Sequence, residues 1–191
     1  MKVTILKSLL VTLSSVAAIG CQSTTPRSSA DISAEIYEKN RPEMMEAKKL
    51  DAPILMTSLF SNKPNSAGGV TVRGFYYALS TSENPIKYID LEVVPYNAVN
   101  DVVASTIDGK TKAALRITGP LVEKNGEHIP VVWENVWYNN SISCVQLNAI
   151  TFEFMNGEKK SYNSYFGDIM SKQLENGKNC GGLARDKSPQ L

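Results

Sequence analysis

The residues PIKYIDLEVVPY (85–96) alternate in character: Ile89, Leu91 and Val93 fall on one side, and Tyr88, Asp90 and Glu92 on the other. Side chains of a strand point to opposite faces in turn, so this pattern predicts a strand with one face buried and one face wet. β-Branched and aromatic runs of the same kind recur from residue 53 onward. They are APILMTSLF (52–60), VTVRGFYYALS (70–80), DVVASTI (101–107), KAALRIT (112–118), VVWENVWY (131–138), SCVQLNAITFEFM (143–155) and EKKSYNSYF (158–166). Asp108-Gly109 and Asn156-Gly157 sit between consecutive runs, and such pairs supply the positive φ angles of a tight hairpin turn.

The run 143–155 changes parity. Val145 and Leu147 are odd-numbered, whereas Ile150, Phe152 and Phe154 are even-numbered. A one-residue slip turns every later side chain to the opposite face. A β-bulge near Asn148-Ala149 lets both halves bury their apolar side; two strands joined by a kink would do the same.

Residues 31–52 read as a short helical segment. Asp31 or Ser33 suits its start, and Ile32 and Ile36 lie four apart on one face. Pro42 either breaks this helix or begins a second one, with Met44, Met45 and Leu50 as apolar positions beyond it. Seven or eight strands without strand–helix alternation predict an all-β fold, an antiparallel β-sandwich of the immunoglobulin/fibronectin-like kind at 53–166. A small closed barrel is the alternative. Residues 167–191 form a C-terminal extension, with a short helix or irregular chain near 168–179.

Composition adds one constraint. Twenty basic and 19 acidic side chains leave a net charge of +1. Near-neutrality argues against nucleic-acid binding, which draws on a basic surface. The cysteine count is three, and an odd cysteine needs a separate explanation.

The first residues supply it. Lys2 and Lys7 precede a short apolar run to Ile19, too short to span a bilayer but the size of a signal-peptide core. Ala18-Ile19-Gly20-Cys21 resembles the lipobox of bacterial lipoprotein precursors, with Ala and Ile where Leu and a smaller residue are commonest. The resemblance implies cleavage by signal peptidase II after residue 20 and a thioether-linked diacylglycerol on Cys21. The attached acyl chains, palmitate among them, moor the chain to membrane, because two or three chains anchor stably where one does not. Gln22 after the cysteine implies the outer membrane of a cell envelope. Loss of residues 1–20 removes two lysines and no acid, leaving a net charge of −1. Residues 21–30 are rich in Ser and Thr and read as a flexible tether.

Residues 85–162 also resemble a poorly characterised immunoglobulin-like bacterial envelope domain. The shared features are Tyr96-Asn97-x-Val99-x-Asp101, Gly119-Pro120, a Trp/Tyr strand, and an aliphatic strand ending at Asn156-Gly157. Asn100 stands where that pattern commonly has Gly. The resemblance implies a sandwich in exported proteins and no catalytic residues.

Two cysteines remain. Outside the inner membrane, a Cys144–Cys180 disulfide would fasten the extension to the sandwich; two buried free thiols are the alternative. Neither a metal site nor a cofactor is indicated, since the cysteine spacing is wrong and His128 is the sole histidine. In KNGEHIP, His128 reads as a solvated loop residue rather than a general base. Trp133 and Trp137 share one strand face, with Asn135 between them. They are candidate binding residues for a sugar or partner protein, or core residues. The expectation is a non-enzymatic, lipid-anchored envelope protein that binds or scaffolds, with an envelope protein as its partner. A carbohydrate or peptidoglycan binder is the alternative, and a small hydrolase a more remote one.

Overall fold

Seven strands carry the apolar alternation: β1 (Ile54–Ser61), β2 (Gly69–Ala78), β3 (Ile86–Tyr96), β4 (Ala113–Leu121), β5 (Ile129–Tyr138), β6 (Cys144–Phe154) and β7 (Lys159–Tyr162). The computed structural model describes residues 28–163, 165–175 and 180. The signal segment 1–20, Cys21, most of the tether and the tail after Cys180 lie outside the described residues.

The strands form two antiparallel sheets, ordered β1-β2-β5 and β4-β3-β6-β7. In immunoglobulin constant domains the fourth strand lies beside the fifth. Here β4 pairs with β3 instead, the fibronectin-like arrangement, and both β4 and β5 become edges. Between the sheets lie Val70, Val72, Ile89, Leu91, Val93, Ile150 and Phe152, all fully buried.

Irregularities in the pairing keep apolar residues inward, and one of them, at Lys87 of β3, lets both Ile86 and Ile89 be buried. Asn148 is the extra residue in β6, because Glu92 pairs with Ala149 and Val93 with Leu147. This is the bulge that the parity change requires. Thr57 is extra in β1, between Met56↔Tyr76 and Ser58↔Phe75. In β5, Val70 opposes Trp137 and Val72 opposes Trp133, so the intervening residues bulge, with Asn135 at φ 52°. Asn tolerates the left-handed region better than most residues.

The run 101–107 is not a strand among the described residues. Only Val102 bridges to Tyr96, and Val102 and Ile107 are exposed. The Asp108-Gly109 turn lies inside the β3–β4 connection, with the Gly109 N–H on the Ser105 carbonyl. Asn97 Oδ1 organises the start of this loop by accepting from the N–H groups of Val99 and Asp101. Asn100 has φ 67°, in the left-handed region that Gly and Asn adopt most readily. Asn156-Gly157 does join β6 to β7, as its dipeptide signal requires.

The N-terminal helix α1 (Ser29–Lys49) is one helix of 21 residues with Pro42 inside it. This corrects the expectation of a break. Pro42 is exposed, so the Glu38 carbonyl that loses its helical donor can turn to water. Ser28 caps the start, paired with Asp31 in a capping box. Ile36, Tyr37, Asn40, Met44 and Ala47 make one stripe against the body. Met45 and Leu50 are about half exposed.

After β7 the chain returns to β1. Met56 donates its N–H to the Ile169 carbonyl and accepts from Ser171 N–H, which covers part of that edge. The short helix α2 (Lys172–Glu175) follows, and Lys172 reaches Glu46 of α1 at 3.4 Å. Cys144 and Cys180 form a disulfide across 36 residues of sequence.

Closing a loop of that length stabilises by about 4 kcal/mol in the chain-entropy description. Replacing both cysteines by Ala is expected to lower the thermal midpoint by about 10 °C. Scanning calorimetry of the two proteins checks this, and an unchanged midpoint would show the bridge to be without effect on stability.

Candidate functional site

Two outer faces of the sandwich differ in chemistry. The four-stranded sheet carries ion pairs. Arg116 holds Asp90 through two hydrogen bonds, at 2.6 and 2.8 Å, and stands 4.4 Å over the Tyr88 ring. Glu153 accepts from Lys87 at 2.9 Å and faces Lys159 at 3.4 Å. Glu92 accepts from Lys112 and from Asn148. The lysine hydrogen bonds are the leading cause that holds both Glu92 and Glu153 below the ordinary glutamate range. Exposed pairs of this kind contribute little stability; they make the face polar and wet.

The three-stranded sheet is different. The register places Leu55 opposite Tyr77, and α1 covers this row. Here lies His128, which is half-buried and not a solvated loop residue. Its ring stacks on Phe75 and on Tyr77, with centroids at 5.1 and 4.7 Å. Its Nε2 lies 2.7 Å from Thr57 Oγ1, and that hydroxyl also donates to the Phe75 carbonyl at 3.2 Å. Burial holds the imidazole below its usual range. On α1, Tyr37 meets Tyr77 edge to face and Asn40 reaches the Tyr77 hydroxyl. Gly126, at φ 74°, lies under Tyr37, and a Cβ there would fall within that ring. The imidazole is thus a packing element on the outer face of the three-stranded sheet, against β1 and β2 side chains. Its partners come from positions 57, 75 and 77, which no local pattern around 128 reveals.

Trp133 and Trp137 do share one face, and it is the inner one. Trp137 is 1% exposed and fills the core. Its indole N–H has no partner among the described residues. The side chain therefore offers no surface to a ligand, which corrects its candidacy as a binding residue. Trp133 is half-buried at the sandwich margin, and its Nε1 donates to the Arg116 carbonyl at 3.1 Å, linking β5 to β4. It lines a cleft of about 650 Å³ between these two edge strands, with Asp108, Lys110, Lys112, Glu134 and Val136. The volume is within the range of ligand sites. Lys110 is paired to Asp108 and Lys112 to Glu92, so the rim is charged but balanced.

Among the described residues there is no group of three His, Cys, Asp or Glu side chains placed to hold a metal ion. No helix among them is long and apolar enough to cross a membrane.

The depressed His128 value makes a prediction about pH. The unfolded chain binds this proton near the ordinary pKa of 6.5, while the folded chain resists it. Stability is therefore full above 6.5 and declines as pH falls from there toward the lower folded value. Glu92 and Glu153 lose their contribution in a separate window, below about 4.5. Urea midpoints at pH 7.5 and 5.5 are expected to drop less for His128→Gln than for the parent; an equal drop would refute the assignment. Compared with family models, with curated proteins and with solved structures, the chain matches none.

Proposed function

We propose that this chain is a lipid-anchored envelope protein that acts by binding rather than by catalysis, with the β4–β5 cleft as its ligand site. The observation that carries the reading is the pair of edge strands, from different sheets, flanking one cleft with Trp133 in its lining. An edge strand has backbone donors and acceptors without strand partners, and an extended polypeptide can pair with them. The strand suited to this is β4 over residues 113–118, ahead of its own irregularity at Gly119-Pro120. Pro130 and the Asn135 bulge interrupt β5, and both features discourage strand addition. Trp133 gives an incoming side chain a broad apolar surface with a polar tip. The involvement of His128 in packing supports a reading without histidine-based chemistry.

The address rests on the resemblance of Ala18-Ile19-Gly20-Cys21 to a lipobox. On this reading Cys21 carries the acyl chains, Gln22 directs the protein to the outer membrane, and an envelope protein is the partner. A carbohydrate ligand is the second reading. It is favoured by the indole of Trp133 lying among Asp108, Glu134 and Lys112, and it now depends on Trp133 alone.

Labelled palmitate is expected to enter the parent protein and to be absent from Cys21→Ser; equal labelling would remove the anchor. Independently, a photo-crosslinking residue at Ala114 is expected to give a protein adduct in intact cells, whereas one at Ser161 gives none. Trp133→Ala should reduce that adduct about tenfold, as for a buried aromatic anchor. Quenching of Trp133 fluorescence by peptidoglycan fragments, without an adduct, would favour the carbohydrate reading instead.

A further inference from the structure

Helix α1 is longer than the sheet it lies on. Going backward along it, Ala47 lies with Leu55 and Met170 at the β1 side, Asn40 reaches Tyr77 of β2, and Tyr37 rests on Gly126 before β5. Residues 28–35 continue past this margin, and all are exposed. From Tyr37 to Ser29 the helix extends about 12 Å, at 1.5 Å per residue. That is enough to cross two further strands about 4.8 Å apart. The overhang carries Ile32, 46% exposed, on its lower side, with Asp31 and Glu35 beside it.

Among the described residues, the same sheet has an uncovered half. Below the row under α1, the next row is Ser58, Phe75 and Pro130, and the one after it is Phe60, Arg73 and Val132. Phe60 is 37% exposed and Val132 49%. Arg73 is exposed, with no ion-pair partner among the described residues. Aromatic residues with an arginine are the composition typical of interface centres.

These two features fit each other under one symmetry operation. A two-fold axis along the sheet normal, beside β5, exchanges the covered end of the sheet for the uncovered end. The overhang of one copy then comes to lie over the open rows of the other, and the reverse follows. We propose that two copies of this chain associate in this way. Each α1 overhang places Ile32 on Val132 and Pro130 of its partner and sets its acidic side toward Arg73. Such an isologous contact closes on itself and does not propagate. Backbone pairing between the two β5 edges is not part of it, because Pro130 lacks an N–H and Asn135 bulges. The two β4–β5 clefts open toward one another across the axis. The association rests on neither the lipid anchor nor the identity of the cleft's ligand.

Sedimentation velocity of the full acylated chain in detergent tests it. The parent is expected to associate reversibly with rising concentration. Arg73→Glu and Glu35→Lys should each weaken association about tenfold or more, since each sets like charges together across the contact. Asp31 is unsuitable because it belongs to the capping box. An equimolar mixture of the two variants should regain dimer, because both contacts in the mixed pair again join opposite charges. The double variant should regain it for the same reason, and circular dichroism of each variant separates weakened contact from lost fold. A parent that stays monomeric at every concentration would overturn the proposal. So would variants that associate as the parent does, or a mixture that fails to recover.

Discussion

A pleated strand can bury only every second side chain, and the two sheets must keep to this rule along their whole length. Everything else in the molecule is arranged around it. Where the sequence loses step, one strand takes up slack: Thr57 in β1, Lys87 in β3, the segment around Asn135 in β5, and Asn148 in β6. Without Asn148 as an extra residue, either Val145 and Leu147 or Ile150 and Phe152 would face water. Without the bulge in β5, Trp133 and Trp137 would lose their places opposite Val72 and Val70. The bulge in β5 interrupts that edge, and β4 is regular only over residues 113–118, before Gly119-Pro120.

Much of this was legible in the residue pattern because the pleat writes it there. The alternation in 85–96 gave β3 and its wet face, and the parity change at 148–149 gave the bulge. The dipeptide at 156–157 gave a hairpin. The run DVVASTI misled, because β-branched composition says nothing about whether a partner strand is available; Val102 and Ile107 end exposed in a loop. Pro42 misled in the other direction, since a proline on the solvent side of a helix costs one hydrogen bond that water can replace. Of the two tryptophans, the shared face was legible, but depth was not. Depth depends on distance from the sandwich margin, which is a property of the assembled sheets. His128 was unreadable for the same reason: its polar neighbours Glu127 and Gly126 suggest a loop, whereas Phe75, Tyr77 and Thr57 make its surroundings.

The two outer faces divide the work. On the four-stranded sheet, Lys87, Asp90, Glu92, Arg116 and Glu153 are mutually satisfied, and a partner would have to displace these pairs to dock. On the three-stranded sheet, α1 takes half the surface and leaves Phe60, Phe75 and Val132 beside an arginine without an ion partner among the described residues. On the proposed reading, recognition would be concentrated on one side and one margin, that of the open rows and the β4–β5 cleft.

The disulfide has a consequence for the order of assembly. Chains are made from the N-terminus, so Cys144 emerges with β6 while Cys180 is still to come. By then strands β1 to β6 exist, and both sheets can form around their central pairs with a lone thiol at the start of β6. The covalent bond thus acts late, as a lock on a body already shaped. It ties the returning segment to the start of β6, beyond the hydrogen bonds by which Ile169 and Ser171 hold Met56.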